Sequence, residues 1–333
     1  MTRYLARRLL LALGVLWAAW SVSFVVLYLL PSDPVEIMAA GGQESEQADP
    51  ARLAQLQHEY GFDRPVLVQY ADHLWSAVHG DLGRSVQSGR PVTSELADAL
   101  PHTLQLAGTA LTAAVLGGVA LALLAAVTRR PALRQALLSL PVIGVSVPTF
   151  WVGLMLIHLL SFRFPVFPAI GDEGWRSLVL PAATLALPIG AQLSQVLAKS
   201  LLAALGEPYV ETARAKGAGD GRVVLRHALR NAALPALTMA GVLVGVLLAG
   251  SVVVETVFSR PGLGRLTITA VGYQDIPVVQ GVVVVGALAY VLANLVVDLL
   301  YPLLDPRIAT AARATRRGRP RAAELMTPEV LAG

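Results

Sequence analysis

The sequence predicts an all-α integral membrane protein with six transmembrane helices, an extracytoplasmic subdomain after the first, and a cytoplasmic helix between the fourth and fifth. Three observations predict this fold class. The 333 residues are 55% hydrophobic and 14% charged, whereas soluble domains contain about 25% charged residues. The mean hydropathy is +0.61. Six stretches without Asp, Glu, Lys or Arg also reach the roughly 20 residues that a helix needs to cross the hydrocarbon of a bilayer.

Each of these six stretches is dominated by Leu, Val, Ala and Gly. Inside lipid, a helix satisfies the backbone of such a segment without help from water. The predicted spans lie within Leu9–Ser32, Ala99–Thr128, Gln135–Phe162, Ser177–Ala198, Asn231–Val254 and Ile276–Val297.

The basic residues predict the orientation, because cytoplasmic segments carry an excess of Lys and Arg. The amino terminus, the segments between spans 2 and 3 and between spans 4 and 5, and the tail hold 18 of the 26 basic residues. The loop 31–100 instead carries 11 acidic and four basic residues. Both termini are therefore predicted to be cytoplasmic. This asymmetry accounts for the net charge of +4, so the expected partner is a lipid membrane and not nucleic acid.

The predicted organisation has four parts. Residues 1–30 form the cytoplasmic amino terminus and first span, 31–100 the extracytoplasmic subdomain, 101–306 the main transmembrane domain, and 307–333 a basic, disordered cytoplasmic tail.

Two helices are expected in the outer subdomain. Asp49 and Pro50 favour the start of one helix, and Gly61 favours its end. The second is expected from Pro65 to Gly80, with a buried stripe at helical spacing made of Leu67, Tyr70, Leu74 and Val78. The subdomain is interpreted either as a cap over the outer mouth or as a docking surface for an external partner.

The inner segment 199–230 predicts a short helix from Tyr209 to Lys216. Pro208 is suited to the first helical position after Gly206 or Glu207, and Gly217 is suited to the end. An isolated helix of this length is marginal in water. We therefore expect it to dock on something, and Tyr209, Ala213 and Lys216 lie on one face.

A second helix is predicted to begin with Asp220 as its cap. Arg222, Arg226 and Arg230 repeat every four residues in it and form a basic stripe. Two interpretations remain open: the arginines extend to lipid headgroups, or they contact a partner subunit.

Small residues and prolines within the spans suggest close packing and kinks. Gly241, Gly245 and Gly250 in span 5 allow helices to approach closely. Four prolines are positioned to kink spans 3 and 4, namely Pro141, Pro148, Pro181 and Pro188.

Several kinds of chemistry are not predicted. Neither Lys199 nor Lys216 belongs to a phosphate-binding loop, so no ATP site is expected in this chain. The six histidines and the lack of cysteine give no metal-binding pattern. Glu255 and Asp298 are placed at helix ends, which disfavours a proton-coupled carrier with acidic residues inside the membrane. A serine hydrolase is disfavoured by the lack of a histidine partner.

Four stretches resemble one family of membrane proteins. They are Tyr4–Leu9, His79–Ser85, Tyr209–Gly217, and Phe258–Arg265 taken with Asp298–Tyr301 and Leu304–Arg307. Over about Met1–Ile308 the chain resembles the permeases of the binding-protein-dependent dipeptide, oligopeptide and nickel group of ATP-binding-cassette importers.

The resemblance implies partners and a mechanism. Such importers pair two homologous permeases, two cytoplasmic ATPase subunits that bind ATP and magnesium, and an external substrate-binding protein, in the bacterial inner membrane. It also implies that the short inner helix is a coupling helix, whose contacts to the ATPase would be made by Glu207, Tyr209, Glu211, Thr212, Ala213, Lys216 and Gly217. The chain itself would have no enzymatic activity and no cofactor.

One departure affects the segment beyond Gly217. The general motif has a Leu-Pro pair about a dozen residues after its glycine, where this chain has Leu229-Arg230, and Leu234-Pro235 follows later. The expected substrates are dipeptides or oligopeptides, with nickel or a metal chelate as the alternative. A stand-alone channel or secondary transporter is the alternative from another class.

Overall fold

The computed structural model describes residues 2–28, 64–172 and 174–304, and these are almost entirely helical. No strand occurs in these ranges beyond an isolated bridge between Arg84 and Pro91. The outer region and the first span contain α1 (Thr2–Tyr28) and α2 (Val66–Val78). The remaining helices are α3 (Val92–Val127), α4 (Pro131–Ser146), α5 (Thr149–Ile157), α6 (Arg176–Leu205), α7 (Pro208–Ala215), α8 (Leu229–Val257), α9 (Leu263–Gly272) and α10 (Ile276–Leu304).

The helices that could cross a membrane number between four and six in the described ranges. Helices α1, α3, α6 and α10 are individually long and apolar enough. Two bent pairs bring the number to six if each pair counts as one span: α4 with α5 and its extension to Arg163, and the segments Asp220–Met239 and Val242–Val257. The predicted class, an all-α membrane protein, is confirmed at this level.

The third predicted span is not one straight helix. Helices α4 and α5 meet at 97°, and a π-helical turn, His158–Arg163, extends α5. The break lies at Val147 and Pro148, where Val147 is extended (φ −87°, ψ 129°). Proline disfavours a helical conformation for the preceding residue, which explains the position of the bend. By contrast, α6 continues through both Pro181 and Pro188.

The core lies where α3, α6 and α8 pack against one another. Helix α3 comes closest to α6 at two glycines. A Cβ atom added to Gly118 would lie 2.7 Å from the Gly190 carbonyl oxygen, and one added to Gly190 would lie 3.0 Å from that of Ala114. Small residues permit this backbone approach.

Helix α1 lies at the edge of the bundle and packs against α10. Its outward face is strongly apolar, with Leu10 69% and Trp17 59% exposed. A continuous exposed apolar face on a helix of 27 residues is what lipid would cover.

The expected buried stripe of α2 is wrong at its two ends, whereas Tyr70 and Leu74 in its middle are half-buried. Leu67 and Val78 are 81% and 74% exposed. Helix α2 meets the bundle through Tyr70, whose hydroxyl lies 2.7 Å from that of Ser21 and whose ring stacks edge-on with Phe24 at 5.2 Å. The contact with α1 thus involves the middle of the predicted stripe and leaves Leu67 and Val78 exposed. The helix does run from just after Pro65 to just before Gly80, as predicted; the helix expected between Asp49 and Gly61 lies outside the described residues.

Candidate functional site

Helix α7 forms where the sequence predicts the short inner helix. Glu207 is its N-cap in extended conformation (φ −79°, ψ 147°) without a side-chain capping bond, and Pro208 is the first helical residue. Gly217 ends it with φ +83°. The Gly217 amide donates to the Arg214 carbonyl at 2.9 Å, and the Ala218 amide donates to that of Ala213 at 3.1 Å. This bond pair is the Schellman motif, and its residue with positive φ is normally glycine.

Helix α7 is held to the rest of the protein by a side chain that the sequence analysis did not single out. Val210 is completely buried, and α7 packs against the π-helical segment Val223–Ala228 that leads into α8. The side-chain amide of Asn231 also donates to the Tyr209 hydroxyl at 3.3 Å. Val210 is the single branched aliphatic residue in a polar eight-residue helix, and this is the signal that could have found the anchor.

The predicted coupling residues lie mainly on the remaining surface of α7 and its two ends. Ala213 is half-buried, and the other six are exposed: Glu207, Tyr209, Glu211, Thr212, Lys216 and Gly217. The structure therefore brings all seven to one exposed stretch of chain about three turns long. Both acidic and basic side chains are available there, and their exposure leaves them free to contact another subunit.

A second group missed by sequence reasoning connects this stretch to α3. Arg129, just after α3, pairs with Asp220 at 2.6 Å between Nη2 and Oδ2. Arg214 of α7 lies 3.8 Å from the same carboxylate. The hydrogen bond and charge of Arg129 lower the pKa of Asp220 below its ordinary value. No local pattern could have revealed this contact, because it joins separate loops.

The segment after Gly217 differs in detail from the prediction. Gly219 and not Asp220 is the N-cap, and Asp220–Arg222 form a single helical turn. Asp220 is instead the first helical residue, and its carboxylate accepts a hydrogen bond from Arg129. The three arginines of the predicted basic stripe are all exposed, while Val223, Val224 and Ala228 between them are buried. Their outward position is compatible with both interpretations, lipid headgroups or a partner subunit.

One of the motifs that carry the resemblance, His79–Ser85, contacts the connection between α9 and α10. The Ser85 hydroxyl donates to the Asp275 carboxylate at 2.5 Å, and the backbone amide of Gln87 donates to the same carboxylate at 3.2 Å. Asp275 follows α9, and α9 begins within the motif Phe258–Arg265. The predicted outer loop is thus fixed to the start of α10.

No group of three or more His, Asp or Glu side chains suited to a metal ion occurs in the part of the chain that the structure describes.

Comparison with known proteins identifies the family. The family described as binding-protein-dependent transport system inner membrane component matches residues 118–310. A second family matches residues 1–107. It is described as the N-terminal region of the binding-protein-dependent transport system membrane component. The chain belongs to this family.

Curated relatives match over nearly their whole length. The glutathione transport system permease protein GsiC of Escherichia coli O6:H1 (strain CFT073) is 37% identical over 308 residues, which cover 92% of this chain and 99% of the relative. The protein of the same name from Salmonella choleraesuis (strain SC-B67) matches with the same identity and coverage.

A solved structure shares the fold. The crystal structure described as an amino acid ABC transporter with histidines matches 62% of this permease and 93% of that chain, with a TM-score of 0.50 and 19% identity.

The family identity confirms the central prediction. The chain is a multi-pass inner-membrane permease subunit of an ATP-binding-cassette importer, and it has no ATPase site of its own. The family implies a binding protein, ATPase subunits and a second permease as partners.

Proposed function

We propose that this permease forms half of an import path for dipeptides or short oligopeptides, and that α7 is the helix that couples the path to an ATPase subunit. One observation carries the coupling assignment. Val210 is fully buried while the Glu211 and Thr212 side chains beside it are exposed. The helix is thus anchored on one side and open on the other.

The physical argument concerns rigidity. A helix of eight residues does not hold its shape alone in water. Its stability here comes from Val210, the Schellman bonds and the Tyr209–Asn231 hydrogen bond. If an ATPase subunit pushes on the exposed face of α7, these contacts keep the helix folded. The movement is then passed on to α8.

The proposed arrangement in the membrane follows from the charge distribution. Each bent pair counts as one span, which gives six spans with both termini in the cytoplasm. Helix α7 is then cytoplasmic, and the loop with Ser85 is external. The ATPase subunits, which bind ATP and magnesium, contact Glu207, Tyr209, Glu211, Thr212, Ala213, Lys216 and Gly217. A second homologous permease completes the path, and an external binding protein delivers the substrate.

The substrate class rests on relatives and not on a visible pocket. The similar permeases are named for glutathione transport, and glutathione is a tripeptide derivative. Peptides are therefore proposed as substrates. Retention of labelled di- and tripeptides by the binding protein supports this class, and retention of nickel or a nickel chelate in their place would overturn it.

The coupling assignment is tested with Glu211→Arg. Glu211 lies in the first turn of α7, where a negative charge is favourable, and it is exposed, so the variant should insert normally. We expect it to lose ATPase subunits in a pull-down and to lose peptide uptake in the reconstituted importer. Asp98→Arg is the control for charge reversal: it reverses an exposed carboxylate that the proposed topology places on the opposite side of the membrane, and it is the harsher change because it also breaks the ion pair with Arg90. Normal uptake by Glu211→Arg would remove the coupling assignment.

A further inference from the structure

The last turn of α8 carries a carboxylate that import does not obviously need. Glu255 is completely buried, yet it lies at the end of a transmembrane helix, where its side chain could reach water. A buried carboxylate is costly unless its oxygens are hydrogen-bonded. The bonds that it makes therefore indicate why it is there.

Both oxygens of Glu255 accept hydrogen bonds from other parts of the chain. The Thr103 hydroxyl of α3 donates to Oε1 at 2.7 Å. The backbone amides of Gly264 and Arg265 donate to Oε2 at 2.7 and 3.4 Å. These amides belong to the first turn of α9, where free N–H groups and the helix dipole favour a negative charge.

Thr103 completes the connection. Its Oγ1 accepts the Leu263 amide, the first of α9, at 2.8 Å. The same hydroxyl gives its single proton to Glu255. Thr103 is 2% exposed, so water cannot replace it on either side.

The glycines of the Phe258–Arg265 motif make room for this arrangement. A Cβ atom at Gly262 would overlap the Glu255 carboxyl group, and one at Gly264 would overlap the Val252 backbone. Gly262 has extended backbone (φ −96°, ψ −179°), which other residues also adopt. Space around the carboxylate, and not backbone strain, requires glycine at position 262.

We propose that Glu255 is a positioning residue: with Thr103, its buried carboxylate fixes α9 to the outer ends of α3 and α8, so that the outer helix moves together with the bundle. The far end of α9 is held in a similar way, because Asp275 accepts bonds from Ser85 and Gln87. The helical stretch from Asp220 to Val257 is bent by 48° between Met239 and Val242, but it connects the segment beside α7 with Glu255. The fastening therefore joins α9 to the helix that starts beside α7.

The consequence concerns coupling between the two sides of the membrane. If α9 is rigidly attached, closure of the outer mouth follows each movement of α8. If α9 is loose, ATP hydrolysis proceeds but peptide transfer becomes less efficient. The expected effect on peptide transfer rests on the proposed function, whereas the attachment of α9 does not.

The first experiment measures attachment in the purified full-length permease in lipid nanodiscs. Amide hydrogen exchange of α9 should be about tenfold faster in Thr103→Val, since an unmade buried hydrogen bond has a cost of that order. Thr103→Ser keeps the hydroxyl and should exchange like wild type. Exchange in α6 should stay unchanged in both. Equal protection of α9 in Thr103→Val and wild type would overturn the proposal.

A double-mutant cycle covers the possibility that Thr103→Val does not fold. Gly262→Ala should speed exchange of α9 in the wild-type background, because the methyl group meets the carboxyl group. The same change should add little in Glu255→Ala, which removes that group. Additive effects of the two changes would show that Gly262 and Glu255 do not interact, against the proposal. Gly272→Ala is the control: Gly272 also lies in α9, and an added Cβ there has nothing within 4 Å, so its effect should be small and equal in both backgrounds.

The second experiment measures ATP consumed for each peptide imported by the reconstituted importer, with its binding protein loaded from a mixture of di- and tripeptides. The ratio should rise in Thr103→Val and return to the wild-type value in Thr103→Ser. A role limited to stability would lower hydrolysis and uptake in parallel and leave the ratio constant, which would overturn the positioning role. ATP hydrolysis without import of any of these peptides by the wild type would instead count against the proposed function, and the exchange results would stand.

Discussion

Arg129 and Asp220 lie 91 positions apart in the chain, and their side chains form an ion pair with 2.6 Å between Nη2 and Oδ2. Because Asp220 also lies 3.8 Å from Arg214 of α7, one carboxylate connects the end of α3 to the proposed coupling helix. Both members of the pair are exposed, so their contribution to overall stability is small. Their effect should instead be on the orientation of α7.

We expect Asp220→Asn to weaken ATPase binding while leaving thermal unfolding of the permease nearly unchanged. Asp98→Asn is the matched control, since it removes the equally exposed pair with Arg90 at 2.7 Å on the other side of the bundle. A pull-down of ATPase subunits measures the difference, which should shrink in high salt because exposed charges are screened. Equal binding by the two variants would contradict the assigned role of Asp220.

The ion pair between Arg129 and Asp220 should be lost only in acid. Arg129 lowers the pKa of Asp220 in the folded protein. The contribution of the pair is therefore present above the ordinary aspartate pKa of about 3.9 and is lost as the pH falls through the lower folded value. Titration of Asp220 should therefore cause no change in ATPase binding by the wild type between mildly acidic and mildly basic pH.

Gly217→Val should abolish peptide uptake, because valine at φ +83° is strained by about 1–2 kcal/mol and disrupts the end of α7. Gly219→Val provides a close control: Gly219 has an ordinary φ of −67° and has nothing within 4 Å of an added Cβ. Gly217→Asn should retain part of the activity, since asparagine tolerates positive φ. Uptake by the reconstituted importer separates the three variants, and similar losses at 217 and 219 would argue against the conformational explanation.

Gly118→Ala should destabilise the bundle by about 1–3 kcal/mol, the usual cost of overpacking. An added methyl group would lie 2.7 Å from the Gly190 carbonyl oxygen of α6. Gly117→Ala changes the neighbouring residue, where nothing lies within 4 Å, and should be neutral or slightly stabilising because alanine favours helix. Thermal unfolding of the purified permease in detergent measures both. A lower midpoint for Gly117→Ala than for Gly118→Ala would show that α3 and α6 do not pack as described.

The proposed topology predicts opposite labelling of two single-cysteine variants. The chain has no native cysteine, so each introduced thiol is unique. In intact cells, an impermeant thiol reagent should modify Ser88→Cys and not Ala132→Cys, since both positions are exposed on the protein but are placed on opposite sides of the membrane. After permeabilisation both should react. Modification of Ala132→Cys in intact cells would reverse the assignment.

The sequence by itself determined the class, the family and the short inner helix. Long uncharged runs leave helix as the structure that satisfies the backbone in lipid, so the spans could be located without knowing their neighbours. Proline and glycine act on their own backbone dihedrals. Pro208 and Gly217 therefore placed α7 correctly, and Pro148 indicated a break, although not its 97° angle.

Only the tertiary structure decided which residues fasten these helices together. Val210 became an anchor because a π-helical segment covers it, and α2 contacts α1 through Tyr70 while Leu67 stays exposed. Glu255 and Asp220 found partners 152 and 91 positions away. Hydrophobic pattern and local propensity describe a residue's near neighbours along the chain, whereas a hydrogen bond depends on distance in space, which the packing of α3, α6 and α8 sets.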